Sequence, residues 1–384
     1  MEVLKIKDFS DVITGGTPST TKLEYWENGT IPWLNSGELN QDIVISSRNF
    51  ITELGLKNSS TRLMPPDTVL IALTGTTTGK IGYLTFEACA NQSVTGILPS
   101  KKHIPKYLYY FLNSIRKKVV NEAYGGAQPH ISQGYVKELQ IPLPPLEQQK
   151  KIAAILDAAD ELRQKDKVLI AKYDELTQAL FLDMFGDPVS NPKRWEKVRF
   201  EDVGKLDRGK SKHRPRNDPK LLGGNYPLIQ TGDIANCGGY VTSYSSTYSD
   251  FGLAQSKLWK TGTLCITIAA NIAKTGILTF DACFPDSVVG FIPNNKTNNE
   301  YTQFWMSFLQ KIIEDAAPMA AQKNINLAIL KDLDFPLPPY SLQNQFAERV
   351  KVIEEQKSIA QASAVKSEEL FNSLLQKAFN GELV

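Results

Sequence analysis

The stretch 141–156 reads IPLPPLEQQKKIAAIL, and 335–350 reads FPLPPYSLQNQFAERV. Each carries a proline pair at the same place, Pro144–Pro145 and Pro338–Pro339, and each runs on into a segment of helical character. Proline has no amide to donate and a fixed φ, so a pair of them ends a strand and suits the entry to a helix, whose first amides are unpaired in any case. Glu147 falls in the first turn of that helix, where the dipole favours an acid. Met once, the motif is a strand-to-helix stop. Its return needs a further explanation.

Pro336 stands 194 residues beyond Pro142, and the same offset aligns segments along the chain. LKIKDFSDVITGG (4–16) aligns with VRFEDVGKLDRGK (198–210), matching Asp8 to Asp202 and Gly15 to Gly209. GYLTFEACANQSVTGILP (82–99) aligns with GILTFDACFPDSVVGFIP (276–293), and Tyr107 and Gln128 match Tyr301 and Gln322. IPWLNSGEL (31–39) fits YPLIQTGDI (226–234) at 195, which a single insertion in the preceding loop explains. The chain is therefore a tandem duplication of a unit near 194 residues, far longer than the roughly 20–50 residues of a solenoid repeat.

Each unit opens with short β-type runs, such as TVLIAL (68–73), IGYLTF (81–86) and TLCITIA (263–269), and one helical segment, 106–123 or 302–317. This predicts a mixed α/β domain. From Leu146 to Phe185 there is no proline or glycine, and apolar residues recur every seventh position: Ile152, Ala159, Tyr173 and Leu180 on one stripe, Ile155, Leu162, Leu169 and Leu176 on the next, interrupted by Asp166. The second copy carries Phe346, Val350, Ile353, Ala360, Ala364, Phe371, Leu374 and Ala378 at similar spacing. Either helix alone would expose its seam, so the two are expected to pair.

The chain of 384 residues is 42% hydrophobic and 22% charged, long enough for two or more domains with their own cores. It has no window of membrane-spanning length, and MEVLKIKDFSDV lacks the regions of a signal peptide, which points to a cytoplasmic protein. Four cysteines without a CxxC pair and three histidines speak against a disulfide framework or a zinc site. Net charge is +2, so local charge placement decides about nucleic acid.

The order of GGTPST (15–20), IPWLNSGEL, GGAQPHIS (125–132), KELQIPLPPLEQQKKIAAIL, LFLDMFGD (180–187), RGKSKHRPRNDPKLLGGNYPLIQTGDI (208–234) and LFNSLLQKAFNGEL (370–383) along a duplicated chain resembles the specificity subunit of type I restriction-modification systems. The resemblance covers essentially the whole chain. It implies an α/β (α+β) fold with two target recognition domains, 1–143 and 188–337, each reading one half of a split double-stranded DNA sequence. The helices in 144–187 and 338–384 would pack antiparallel as a spacer; at ~1.5 Å per residue, Leu146 to Phe185 would reach roughly 60 Å. A local two-fold would present the domains to opposite strands. Two modification (methyltransferase) subunits and ATP-dependent restriction subunits are the implied partners. S-adenosylmethionine, ATP and magnesium would belong to them, with no cofactor bound by this chain.

RGKSKHRPR puts Arg208, Lys210, Lys212, Arg214 and Arg216 beside His213 in a stretch marked as a loop by Gly209 and Pro215. Inside a DNA reader, phosphate or groove contact is the favoured reading over a solvated loop. The first copy has only Lys22 in the equivalent loop, so the two domains are expected to engage DNA differently. Gln128 with His130, and Gln322 with Lys323 and Asn324, fall on turns before a strand: Gln and Asn suit adenine edges, while the matched glutamines equally suit a turn cap, and both readings stand. Asn35, Ser36 and Glu38, with Gln230, Thr231 and Asp233, read slightly better as turn formers than as groove readers. GTTTGKIG (75–82) fails the phosphate-loop pattern because Ile81 follows Lys80, and the matching stretch has no glycine before Lys274; both lysines are DNA-facing or solvated. Cys89 and Cys283 read as core residues.

Catalysis finds no support. FxGxG and an NPPY-type tetrapeptide are absent, and no nucleophile–base pairing emerges from the three histidines. The rival from another class is a coiled-coil adaptor whose globular domains bind protein. A protein adaptor would lack the steep salt dependence of phosphate contacts.

Overall fold

The computed structural model describes residues 2–123, 130–269, 271–316 and 325–383, with 311–316 by backbone alone. Two compact units emerge, Met1–Lys167 with Ala362–Val384, and Val168–Gln361.

In the first unit a five-stranded sheet runs in the order Val12–Thr14, Val94–Ile97, Val69–Ala72, Ile81–Leu84, Ile43–Val44, parallel only at its last pair. Its three central strands are buried at every position, which is why their sequences show no polar alternation. Successive side chains still point to opposite faces. Val69 and Ile71 join Tyr107, Leu108 and Leu112 of the helix Pro105–Ser114, whereas Leu70 and Ala72 join Leu34, Leu39 and Met64. A smaller sheet of Asn49–Ile51, Ile31–Leu34 and Cys89–Ala90 completes the domain.

The second unit repeats this plan with Gly204–Arg208, Val288–Pro293, Leu264–Thr267, Thr275–Leu278 and Tyr240–Val241. Its smaller sheet gains a fourth strand, Leu258–Trp259. Cys89 and Cys283 lie fully buried on equivalent strands. The aromatic helix of the first copy ends at Ser114, with a separate turn at Arg116–Asn121, while its counterpart runs through Asn299–Ala316.

Each domain closes on the quoted junction. Glu2–Lys5 pairs antiparallel with Gln140–Leu143, and Glu196–Arg199 with Asp334–Leu337. The Pro142 carbonyl accepts from Tyr107 Oη at 2.6 Å, and the Pro336 carbonyl from Tyr301 Oη at 2.7 Å. One turn into each helix sits a buried glutamine. Gln149 donates to the Pro144 carbonyl (2.8 Å) and accepts from the Ile104 amide (2.8 Å). Gln343 donates to the Pro338 (2.9 Å) and Lys296 (3.0 Å) carbonyls and accepts from Thr297 Oγ1 (2.8 Å) and the Asn298 amide (3.2 Å). The carbonyl of the first proline in each pair meets no helical amide, and the glutamine supplies the missing donor.

The helices so launched are a first arm, Leu146–Phe185, and a second arm, Tyr340–Asn380. They pair antiparallel within each unit: Arg163 meets Glu368 and Asp166 meets Ser363 in the first, Asp174 meets Lys357 and Met184 meets Arg349 in the second. On the second arm, Phe346, Val350, Phe371 and Ala378 are buried, and Ile353 and Leu374 half-buried. On the first arm, Ile152 and Ala159 are buried, and Tyr173 and Leu180 half-buried.

The other stripe departs from expectation. Ile155, Leu162, Leu169 and Leu176 are 37%, 44%, 44% and 50% exposed. The seam runs instead through the residues that follow them, Leu156, Arg163, Ile170 and Thr177. One residue is a turn of about 100° around a helix, enough to move a side chain out of the interface. Apolar character misled because two of the four true seam positions are polar. Arg163 stays there by pairing with Asp160 (2.5 Å) and Glu368 (3.0 Å) while stacking over Phe371, and Lys357 by bonding Asp174 at 2.6 Å.

Aromatic side chains fix each domain to the arms. Tyr107 and Phe111 lie 5.5 and 5.1 Å from Phe379 near the end of the second arm, and Tyr110 donates to Asp157 of the first at 2.7 Å. In the second unit Tyr301 lies 4.7 Å from Phe185, the residue at the position matching Phe379.

Gln343→Leu would strand the Asn298 amide and the Pro338 carbonyl in a dry site, and about 2–4 kcal/mol of stability should be lost in urea unfolding; an unchanged midpoint would refute the lock. Asp166, 7% exposed, leaves Oδ2 without a partner among the described residues. Asp166→Leu is therefore expected to stabilise the pair of arms by about 1 kcal/mol or more, raising the thermal midpoint; a lowered midpoint would show that the acid holds the seam.

Candidate nucleic-acid interface

In each domain, loops that leave the five-stranded sheet are tied to one another. In the first domain Thr74 Oγ1 donates to Ser93 Oγ at 2.7 Å, and Thr17 Oγ1 to Gln92 Oε1 at 2.5 Å. His130, exposed, bridges to Thr74, and the Ile131 amide bonds the Leu73 carbonyl at 2.8 Å. The Ile325 amide bonds the Ile268 carbonyl in the same way in the second domain.

Gly15 and Gly209 root the equivalent loops. A Cβ at Gly209 would lie 2.3 Å from the carbonyl oxygens of Phe284 and Pro285, and one at Gly15 2.1 Å from that of Ala90. The backbone passes too close for any other residue. From this root the second domain sends out the basic loop, which is folded rather than loose. Arg208 donates twice to the Asp286 carbonyl, at 2.9 and 2.7 Å, and Arg216 Nη2 meets Asp286 Oδ1 at 2.5 Å. Arg214 bonds the Ser211 carbonyl at 2.6 Å and lies 3.9 Å from Asp286. Gln255 Oε1 accepts from the amides of Lys212 (2.6 Å) and His213 (3.0 Å). His213 Nε2 meets Asp218 Oδ2 at 2.9 Å; the Lys220 amide and then this histidine hold the Asp218 carboxyl below its ordinary 3.8. Lys210 and Lys212 are exposed and make no ion pair among the described residues.

Asp286 occupies the place of Gln92, 194 residues on. One position thus anchors the loop in both copies, with a neutral hydrogen bond in the first and a carboxylate–guanidinium pair in the second. Sequence reasoning overlooked Asp286, Gln255 and Gln92. The available signal was the exchange of Gln for Asp at a matched site in the copy that also gains arginines.

The remaining candidates scatter. Lys22 is exposed and donates to Tyr25 Oη at 3.0 Å, which raises its pKa above 10.5. Lys80 is tied to Asp42 at 2.9 Å, and Lys274 lines a cleft with Asp174 and Glu354 of the arms, so neither joins the basic loop. Gln128, Gln322, Lys323 and Asn324 lie outside the described residues. Glu38 and Asp233 are turn formers: their carboxylates accept from the amides of Asn35 and Gln230, both at 2.8 Å. Among the described residues no group of three or more His, Cys, Asp or Glu is placed to hold a metal ion, and no helix is long and apolar enough to cross a membrane.

A duplicated α/β domain, each copy tied to paired antiparallel helices and only one bearing a preset cationic loop, defines a recognition scaffold with two unlike faces. Residues 1–171 and 192–364 both match the family described as "Type I restriction modification DNA specificity domain", and the chain belongs to that family. It is 32% identical over 235 residues to the type I restriction enzyme MjaIX specificity subunit of Methanocaldococcus jannaschii, covering 54% of this chain and 52% of that one. To the EcoR124I/EcoR124II specificity subunit of Escherichia coli it is 32% identical over 153 residues, 38% of each chain. The chain thus spans about half or less of the length of these relatives. The fold matches the crystal structure of the type I restriction-modification S subunit from M. genitalium with a TM-score of 0.62, at 15% identity, over 98% of this chain and 96% of that one.

If Gln255 holds the loop, Gln255→Ala should speed hydrogen exchange of the Lys212 and His213 amides by about 5-fold or more, the equivalent of one lost bond. Unchanged protection would show that the loop is held elsewhere.

Proposed function

We propose that this chain is the DNA-specificity subunit of a type I restriction-modification complex, reading a split double-stranded target with one domain per half-site. The observation that carries this reading is one fold presented twice with unlike loop edges. A single scaffold is thereby given two addresses. Recognition domains at 1–143 and 188–337 would be joined by a spacer formed from 144–187 and 338–384, whose length sets the gap between half-sites. Two methyltransferase subunits and the ATP-dependent restriction subunits would supply the chemistry, with their S-adenosylmethionine, ATP and magnesium, and this cytoplasmic chain would bind no cofactor and catalyse nothing alone.

The proposed DNA-contacting set is the loop edge: Arg208, Lys210, Lys212, His213, Arg214 and Arg216 in the second domain, Lys22 and His130 in the first. Lys80 and Lys274 are left out because one is neutralised by Asp42 and the other faces the arms. The unpaired lysines suit phosphates, whose attraction depends on net charge and not on orientation.

Selection of duplexes from a random pool by the full chain should return a two-part motif with a fixed gap. Lys210→Ala with Lys212→Ala should weaken all sequences alike and lower the slope of log affinity against log salt by about 2. A flat salt dependence with no selected motif would sink the reading in favour of a protein-binding adaptor.

A further inference from the structure

Asp286 raises a question that the basic loop alone does not answer. A carboxylate beside Arg216 and Arg214 cancels part of the charge that would attract a phosphate, so a loop built only for phosphates would be better without it. What the carboxylate adds is orientation. With one guanidinium N–H bonded to Asp286 Oδ1 at 2.5 Å, the plane of Arg216 is set before any ligand arrives, and among the described residues its other N–H groups make no bond. Orientation matters for an acceptor pair of fixed geometry.

The surroundings supply such a site. Arg216 lines a cleft of about 490 Å³ together with Asn217, Ser211, Gln230, Thr231 and Ser246. Ser246 Oγ is buried without a partner among the described residues. Pro285 and Ser287, the neighbours of Asp286, form part of the wall, so the residue that fixes the arginine also belongs to the cleft's frame. Among the described residues the Asp286 carboxylate is paired with arginines of the same loop, Arg216 and Arg214.

We propose that Arg216, held by Asp286, reads a guanine edge in one half-site, with Asp286 as a positioning residue and the two lysines confined to phosphates. This rests on the DNA-specificity reading and names the residue pair that delivers it in the second domain. Guanine offers O6 and N7 side by side in the major groove, the acceptor pair that a fixed guanidinium fork matches. The first domain lacks the device: Gln92 stands where Asp286 does and bonds a threonine, so its half-site is read by other groups.

Duplex selection by the full chain, repeated with Arg216→Lys, Asp286→Asn and Lys210→Ala, separates the roles. Arg216→Lys keeps the charge and loses the fork, and preference for one G·C pair in one half should fall by about 5- to 150-fold, with the other half and the salt slope unchanged. Asp286→Asn should relax the same position while overall affinity holds or rises, because a negative charge is gone. Lys210→Ala should lower the slope by about 1 and leave the motif intact. Thermal unfolding of each variant checks that the fold persists. The proposal is overturned if Arg216→Lys leaves the motif unchanged or weakens every sequence equally. A native chain that selects no motif would remove the DNA reading itself, and this assignment with it.

Discussion

Everything in this molecule is hung on a hydrogen-bonded glutamine one turn past a pair of prolines. The proline pair makes a clean break between sheet and helix, but it also leaves a carbonyl with no amide to meet in a dry place. Gln149 and Gln343 repair that defect and in the same act bind the helix start to the loop before the aromatic helix, through Ile104 in one copy and Thr297 and Asn298 in the other. A hinge would be the natural product of two prolines between two elements. The buried amide makes it a fixed angle, and the tyrosine bond to Pro142 or Pro336 closes the remaining freedom.

A fixed angle is worth having only if the arm itself is held. Here the far end of each arm contributes as much as the near end. Phe379, at the end of the second arm, packs on Tyr107, while Phe185, at the end of the first, packs on Tyr301. The first domain is therefore gripped by the start of one arm and the finish of the other, and so is the second. Between those grips the seam can carry polar residues, because pairing does not depend on it alone. Arg163, Asp166, Thr177 and Lys357 occupy positions that an isolated coiled coil would fill with aliphatic side chains.

That division explains what was legible in the sequence. The duplication, the mixed α/β domains, the long helices and their pairing all follow from patterns repeated 194 residues apart, and a repeat amplifies weak signals. The seam of the second arm was readable because its apolar residues and its interface coincide. On the first arm they do not: Leu162 is apolar and outside, while Arg163 is charged and inside, held by two carboxylates and the face of Phe371. No periodicity reveals that an arginine has partners waiting two hundred residues on. The loop edge was legible as charge but not as geometry. Five basic residues in nine announce a loop for an anion, yet which of them are steered depends on Asp286, far away in sequence and ordinary on its own.

Set against Gln92, Asp286 shows how one scaffold carries two unlike loop edges. Both copies hold a loop rooted on a tightly packed glycine, with one side chain from the neighbouring turn clasping it. A glutamine there accepts a hydroxyl and asks for no charge. An aspartate at the same point creates a need for cations, and Arg216 and Arg214 in the loop meet it. The substitution leaves the sheet, the junction and the arms untouched, since the clasp lies at the edge and not in the core. The two loop edges can thus differ under a constraint that the fold does not feel, because the bonds that join each domain to its arm lie elsewhere, at Gln149 and Gln343.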